Sequence, residues 1–147
     1  MSKAFTIFGG TGDLTFRKLL PALYNGSISG AESEDYQIII IGRREYTTEQ
    51  YCALAREWVQ KFARLPYSDR AFGRFASRIA YYRMDFSDHE AYRGLNRYYA
   101  GNRIGSHIFY FAVAPRFFSV ITEGLKLVDG AKNGKVIIEK PFGEDLA

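Results

Sequence analysis

Five short apolar runs recur along the chain, and segments with helical spacing separate them. The runs are AFTIF at 4–8, QIIIIG at 37–42, IAYYRMD at 79–85, HIFYFAVA at 107–114 and KVIIEK at 135–140. They are rich in residues that favour strands and hold few polar positions, which is typical of strands covered on both faces. We therefore predict five strands, of which the last is left as an exposed edge.

The segments between the runs carry apolar residues three or four positions apart, as amphipathic helices do. Thr47 and Gln50 have the spacing of a capping box, which predicts that a helix begins after Thr47. The apolar positions of that helix are Tyr51, Leu54, Ala55, Trp58 and Phe62. Ser87 and Glu90 predict a similar start before AYRGLNRYYA, and Pro115 predicts the start of a further helix.

The alternation of strand and helix predicts an α/β fold. A short helix is expected between residues 68 and 78, and the whole series indicates a Rossmann-type, doubly wound parallel sheet in three layers. Residues 1–147 have the length of one domain. Glu144 and Asp145 resemble the first turn of a helix, and such a sheet normally continues to a sixth strand. We therefore expect a domain truncated before that strand, taken from a longer protein whose second domain is absent from this chain.

A glycine-rich stretch follows the first run directly. Gly9, Gly10 and Gly12 come just before Asp13, where a helix is predicted to begin. Glycines at this junction let the backbone approach a pyrophosphate, and free amides at the helix start attract the anion. The spacing predicts a dinucleotide site, although Thr15 stands where the fingerprint has glycine or alanine. A generic strand-to-helix turn is the alternative.

The ends of the second and third runs predict the rest of that site. An acid after the second strand binds the ribose diol of NAD, whereas an arginine there accepts the 2′-phosphate of NADP. Arg43 and Arg44 precede Glu45, which favours NADP and leaves NAD as a weaker alternative. Asp85 and Phe86 end the third run at the edge where adenine is expected, or else cap the next helix.

Composition narrows the function classes. The net charge is +4 and the pI about 9.2, but the basic residues are scattered and form no tract, which disfavours nucleic acid. No apolar run approaches the ~20 residues of a membrane span, and no secretory signal is evident, so we expect a cytoplasmic protein. A single cysteine and two histidines give no disulfide and no cluster of metal ligands.

Two longer motifs carry a family resemblance. GGTGDLTFRKLLPALYNG at 9–26 and VIIEKPFGEDL at 136–146 resemble the coenzyme domain of glucose-6-phosphate dehydrogenase, and the resemblance covers the whole chain in order. IFYFAVAP at 108–115 is similar to the strand that borders the nicotinamide, with Ala114 in place of a proline. The resemblance implies oxidation of glucose 6-phosphate to 6-phosphogluconolactone with reduction of NADP, the opening step of the oxidative pentose phosphate pathway.

The resemblance also implies roles for individual residues. The pyrophosphate would lie against Gly9, Gly10, Thr11, Gly12, Asp13 and Leu14. Lys140 would contact both sugar and coenzyme, and its bond to Pro141 would be cis. Lys18 would face the site and contact the substrate, unless it is an ordinary solvated helix lysine. Tyr110 would lie near the coenzyme, unless it only packs inside the sheet.

The residues that would complete the chemistry are not in this sequence. The family's catalytic histidine lies in an Asp-His-Tyr motif that the chain lacks, and neither His89 nor His107 is a candidate base. We therefore expect no catalytic residue here, an isolated chain without turnover, and a parent enzyme that is a homodimer or homotetramer. A non-catalytic NADP-binding redox sensor remains the alternative. A short-chain reductase is excluded, because no tyrosine has a lysine four positions later.

Overall fold

The computed structural model describes residues 2–29, 36–64 and 66–138, and its centre is one parallel sheet. The strands are β1 (Ser2–Phe8), β2 (Tyr36–Gly42), β3 (Ile79–Arg83), β4 (Ile104–Phe111) and β5 (Lys135–Ile138). They lie in the order β3-β2-β1-β4-β5, and every neighbouring pair is parallel. This order confirms the predicted doubly wound sheet, and it places the point where the strand order reverses between β1 and β4.

Helices cover both faces of the sheet. They are α1 (Leu20–Ser29), α2 (Thr48–Phe62), α3 (Asp69–Ala76), α4 (Ala91–Gly101) and α5 (Phe118–Leu125). The first three pack on one face, where Leu20, Tyr51 and Phe75 are fully buried. The other two pack on the opposite face with Leu95 and Ile121. The three-layer prediction is therefore confirmed.

β2 shows why its sequence has almost no polar position. Ile38 and Ile40 point to the face that carries α1–α3, while Ile39 and Ile41 point to the other face. All four side chains have 0% exposure. A strand covered on both sides gains burial at every residue, so the alternation of polar and apolar positions disappears.

The two predicted capping boxes have different outcomes. At α2 both reciprocal bonds are present: Gln50 N donates to Thr47 Oγ1 at 3.0 Å, and Thr47 N donates to Gln50 Oε1 at 2.9 Å. The predicted start at Ser87 is wrong, since α4 begins at Ala91 without a side-chain cap. The Asp85 carboxylate accepts from the Ser87 amide at 2.9 Å and bends the chain into turns before the helix.

The helix after the glycine stretch starts with a wide turn. Helical structure is present from Asp13, as predicted, but residues Thr15–Leu19 form a π-helical turn before α1. Pro21 gives a physical reason, because proline lacks the amide that an α-helix needs there and its ring crowds the carbonyl four residues earlier. Within this wide turn the Leu20 amide donates to the Thr15 carbonyl, five residues earlier.

β5 is the most exposed strand of the sheet. Val136, Ile137 and Ile138 have 49%, 41% and 51% exposure, although they are as apolar as β2. The predicted fifth strand extends to residue 140, and its last two residues lie outside the described part of the chain. The predictions for Lys140, Pro141, Glu144 and Asp145 also fall outside it.

Candidate functional site

An open cleft of about 1150 Å³ lies at the carboxyl edge of the sheet. The ends of β1, β2 and β3 form one side of it, and the segment after β4 contributes Arg116 and Phe117. Ligands of open parallel sheets bind at this edge, beside the reversal point. Six of the predicted site residues line the cleft: Gly9, Thr11, Arg43, Arg44, Asp85 and Phe86.

The glycine turn (residues 9–14) owes its shape to two positions that admit only glycine. Gly9 has φ +94°, and a Cβ there would overlap the carbonyl oxygen of Ala112 and lie 2.8 Å from Val113 Cγ1. A Cβ on Gly10 would overlap Ile40 Cγ2. The amides of Gly9 and Gly10 both donate to the Ile41 carbonyl, at 3.0 and 2.9 Å. The end of β1 is therefore locked against β2 and β4.

Gly12 is a different kind of glycine. A Cβ there would meet only the Gly9 carbonyl oxygen, at an ordinary distance of 3.4 Å, so nothing in the described chain requires glycine. The absence of a side chain leaves room for a ligand. The space suits a pyrophosphate, which approaches the backbone closely at such a turn.

The helix start provides hydrogen-bond donors for that ligand. In the described part of the chain the backbone amides of Thr11, Asp13 and Leu14 make no hydrogen bond. Unpaired amides and the positive end of the helix dipole favour an anion. The Gly9 carbonyl, which would repel one, accepts instead from Gly12 N at 3.1 Å and from Thr15 Oγ1 at 2.9 Å. The turn fits the diphosphate of a dinucleotide.

The arginine loop (residues 43–45) follows β2 on the neighbouring side of the cleft. Its backbone is held by β3, because Arg83 Nε donates to the Arg43 carbonyl at 3.0 Å and Tyr81 Oη donates to the Arg44 carbonyl at 2.6 Å. Glu45 lies 3.8 Å from Arg83 Nη1 and does not line the cleft. Over residues 2–29, 36–64 and 66–138, neither Arg43 nor Arg44 has a side-chain partner.

Further cationic residues surround the cleft. Its lining has five arginines and three acids, so the site attracts anions. Sequence reasoning missed Arg83, Arg97 and Arg116 among the five. Arg83 ends β3 and Arg116 follows β4, so a search of all strand ends would have found both. Arg97 lies within α4, where no sequence signal marks it.

Asp85 and Phe86 lie where the adenine end of the coenzyme was expected. The Asp85 carboxylate is tied to the Ser87 amide, and Asp85 lines the cleft. Phe86 is 8% exposed, with its ring 5.8 Å from Phe8 and 6.0 Å from Phe117. Both residues therefore line the cleft, and neither caps α4.

The remaining predicted residues of the described chain are not part of the cleft lining: Gly10, Gly12, Asp13, Leu14, Lys18 and Tyr110. Asp13 pairs with Arg17 at 3.4 Å on the exposed side of the helix. Lys18 is exposed on the π-helical turn. Tyr110 is 6% exposed and packs in the core with Phe5, at a ring distance of 6.2 Å. Their contacts to coenzyme or sugar stay predictions, as does that of Lys140.

Neither histidine lies on the cleft. His107 is 5% exposed within β4, between the rings of Tyr99 and Phe109 at 4.5 and 5.1 Å. Among the described residues its Nδ1 has no hydrogen-bond partner, and burial lowers the pKa of its imidazole. His89 is exposed before α4. Neither histidine is in the described lining of the cleft, and the absence of a catalytic base from this chain stays a prediction.

Two kinds of feature are absent from the described residues. No group of three or more His, Cys, Asp or Glu side chains is placed to hold a metal ion there. No helix among the same residues combines the length and the apolar content of a membrane span.

The fold and the cleft define a Rossmann-type dinucleotide-binding domain. The family described as "Glucose-6-phosphate dehydrogenase, NAD binding domain" matches residues 6–147. The chain belongs to this family, whose coenzyme is NAD(P). The resemblance stated from the motifs is therefore confirmed.

Individual relatives agree with the family match. Glucose-6-phosphate 1-dehydrogenase from Rhizobium meliloti is 32% identical over 97% of this chain and 30% of its own length. The enzyme of the same name from Chlamydia pneumoniae is 36% identical over 95% of this chain and 30% of its own. The crystal structure of the Mycobacterium avium enzyme superposes with a TM-score of 0.84 at 30% identity, over 97% of this chain and 30% of that one. The chain thus spans about 30% of these relatives.

Proposed function

We propose that the chain binds NADP and presents it to glucose 6-phosphate as the coenzyme domain of a glucose-6-phosphate dehydrogenase. The observation that carries this proposal is the pairing of two features at one edge of the sheet. Amides of the glycine turn that make no hydrogen bond to the described residues suit the diphosphate, and two guanidinium groups without a partner among those residues lie one strand away. A dinucleotide with an additional phosphate on its ribose matches both.

The arginine loop favours NADP over NAD. A guanidinium forms charge-assisted bonds with a phosphate, whereas a carboxylate at this position would bind the ribose diol of NAD. The carboxylate of the arginine loop, Glu45, lies 3.8 Å from Arg83 Nη1 and is absent from the cleft lining. Arg43 and Arg44 are therefore the groups that meet the ribose edge of the coenzyme.

The reaction proposed for the whole protein follows from the family. A hydride leaves carbon 1 of glucose 6-phosphate for the nicotinamide ring, and a base takes the hydroxyl proton, giving 6-phosphogluconolactone and NADPH. The described residues place no histidine at the cleft, so we propose that the 147-residue chain binds coenzyme without turnover. One solved relative is described as a glucose-6-phosphate dehydrogenase "in complex with its substrate glucose-6-phosphate", which supports the sugar assignment. Cytoplasmic action and a homodimeric or homotetrameric assembly are proposed on the same family grounds.

Calorimetric titration with NADP and with NAD tests the coenzyme proposal. Arg43→Ala, Arg44→Ala or both should cost NADP about 1.5 to 3 kcal/mol, because a charge-assisted contact is lost, and should leave NAD nearly unchanged. Arg74→Ala is the matched control, since Arg74 lies on α3 and away from the cleft. Equal losses for NADP and NAD would contradict the assignment of the arginine loop.

A second assay separates the coenzyme domain from a complete enzyme. With glucose 6-phosphate and NADP, the chain should bind the coenzyme and form no NADPH. NADPH production by the chain alone would show that its base lies within these residues. A redox sensor would also bind NADP. If the protein is such a sensor, adding glucose 6-phosphate should not change the NADP affinity of any longer form of it.

A further inference from the structure

We infer that Tyr51 and Tyr81 are positioning residues that hold the glycine turn and the arginine loop in place, and that Tyr81 sets the preference for NADP over NAD. The inference rests on the proposed function, because it concerns the same coenzyme site. Tyr51 is not part of the cleft lining, and neither is Tyr81. Both act through the backbone of the loops that do line it.

Each tyrosine binds one loop. From α2, Tyr51 Oη donates to the Gly10 carbonyl at 2.6 Å. From β3, Tyr81 Oη donates to the Arg44 carbonyl at the same distance. Both distances are short for hydrogen bonds between a hydroxyl and a carbonyl. The two acceptors belong to the two loops assigned to the two phosphate-bearing parts of NADP.

The two rings also pack on each other. Their centroids are 5.2 Å apart with an interplanar angle of 22°, which is a stacked arrangement. Tyr46 meets Tyr81 edge-on at 5.7 Å, and the Tyr81 amide donates to Thr48 Oγ1 at 3.1 Å. A continuous set of contacts therefore runs from the glycine turn through two rings to the arginine loop.

The surroundings of Tyr81 indicate that its hydroxyl has a defined place. A Cβ on Gly42 would lie 2.8 Å from Tyr81 Oη and 3.1 Å from Thr11 Cγ2, so glycine at the end of β2 leaves room for the Tyr81 hydroxyl and for the glycine turn. Gly42 has no left-handed backbone to explain it, since among the described glycines only Gly9 and Gly130 have positive φ. Glycine at the end of β2 thus leaves space for the Tyr81 side chain, which binds the backbone of the arginine loop.

Both hydroxyl groups are donors under ordinary conditions. Burial raises the pKa of Tyr51 well above the usual tyrosine value, and it also raises the pKa of Tyr81. Each phenol therefore stays protonated and donates to its carbonyl. A phenylalanine would keep the ring stack and remove only this donor, which leaves the carbonyl of Gly10 or Arg44 without its partner.

Tyr81→Phe is the principal test. We expect the Kd for NADP to rise roughly 3- to 10-fold, because the arginine loop loses the bond that fixes Arg44, and the Kd for NAD to change less than about 2-fold. Tyr51→Phe should raise both Kd values by the same factor, since both coenzymes share the diphosphate. Tyr67→Phe is the matched control: its exposed hydroxyl donates to Asp69, and its loss should change neither Kd.

A second variant tests the role of Tyr81 independently, in case Tyr81→Phe does not fold. Gly42→Ala places a methyl group 2.8 Å from Tyr81 Oη and 3.1 Å from Thr11 Cγ2 of the glycine turn, so it should weaken the binding of both coenzymes, and that of NADP more than that of NAD. In the Tyr81→Phe background the same substitution should change the ratio of NADP to NAD affinity by less than about a further 2-fold, because the displaced hydroxyl is already absent. Circular dichroism and thermal unfolding of each variant establish that it is folded.

The outcomes separate this inference from the proposed function. An unchanged ratio of NADP to NAD affinity in both Tyr81→Phe and Gly42→Ala overturns the role of Tyr81, even if the arginine variants behave as expected. A Tyr51→Phe variant that weakens only one coenzyme overturns the role of Tyr51. If the arginine variants lose NADP and NAD equally, the proposed function fails, and the inference fails with it.

Discussion

The glycine turn and the arginine loop lie side by side at one edge of the sheet, and they are held in different ways. Gly9 and Gly10 fix the turn through their own backbone, since one has positive φ and both lack the Cβ that would overlap a neighbour. The loop contains no such constraint. Its carbonyls are fixed by Tyr81 and Arg83, side chains that come from β3 almost 40 residues later in the sequence.

The difference shows which part of a binding site is local. The turn contacts a chemical group that every dinucleotide has, and its shape depends mainly on a few adjacent glycines, with one long-range bond from Tyr51 to the Gly10 carbonyl. The loop contacts the group that distinguishes NADP from NAD, and its position depends on tertiary structure. Changes in the turn should therefore affect stability or both coenzymes, whereas changes around the loop should affect selectivity.

Gly9→Ala should have the largest effect. An alanine at φ +94° is strained, and its Cβ would overlap the Ala112 carbonyl, so we expect a loss of about 2 to 4 kcal/mol in the free energy of unfolding. Denaturant unfolding measures it. Gly73→Ala is the matched control: nothing lies within 4 Å of its Cβ within α3, so stability should rise by about 0.5 to 1 kcal/mol. A Gly9→Ala variant as stable as the parent would show that the turn is not locked.

Gly12→Ala should separate ligand binding from folding. Its Cβ meets only the Gly9 carbonyl at 3.4 Å, so the free energy of unfolding should change by less than about 0.5 kcal/mol. The added methyl occupies the space assigned to the diphosphate, and both NADP and NAD should bind about 10-fold more weakly or worse. Titration of the two coenzymes measures this. Unchanged affinity for both would mean that the diphosphate binds elsewhere.

The same contrast explains how much the sequence predicts. The apolar runs predicted all five strands, and Thr47 with Gln50 predicted the start of α2, because these signals involve residues close in the chain. The glycine turn was predicted for the same reason. The start at Ser87 was wrong because the Asp85 carboxylate binds the Ser87 amide and forms a turn, an equally local alternative.

Long-range partners were not predictable from spacing. Tyr51 was expected only as an apolar position of a helix, and nothing in its neighbourhood marks a hydroxyl that binds Gly10, 41 residues away. Tyr81 was likewise expected only as a strand residue, although it binds the Arg44 carbonyl. The pairing of strands β1, β2 and β3 creates these contacts, and register cannot be obtained from residue type alone.

Glu45→Gln should have the smallest effect, and it tests whether hydrogen bonds or charges hold the arginine loop. Glu45 and Arg83 are 3.8 Å apart, with side chains 82% and 59% exposed, and such pairs contribute little in water. We expect the free energy of unfolding to change by less than about 0.5 kcal/mol and the NADP to NAD affinity ratio by less than about 2-fold. Calorimetric titration at low and high salt measures the ratio. A change of 5-fold or more that disappears at high salt would mean that this ion pair, rather than the bonds from Tyr81 and Arg83 to the backbone, positions the loop.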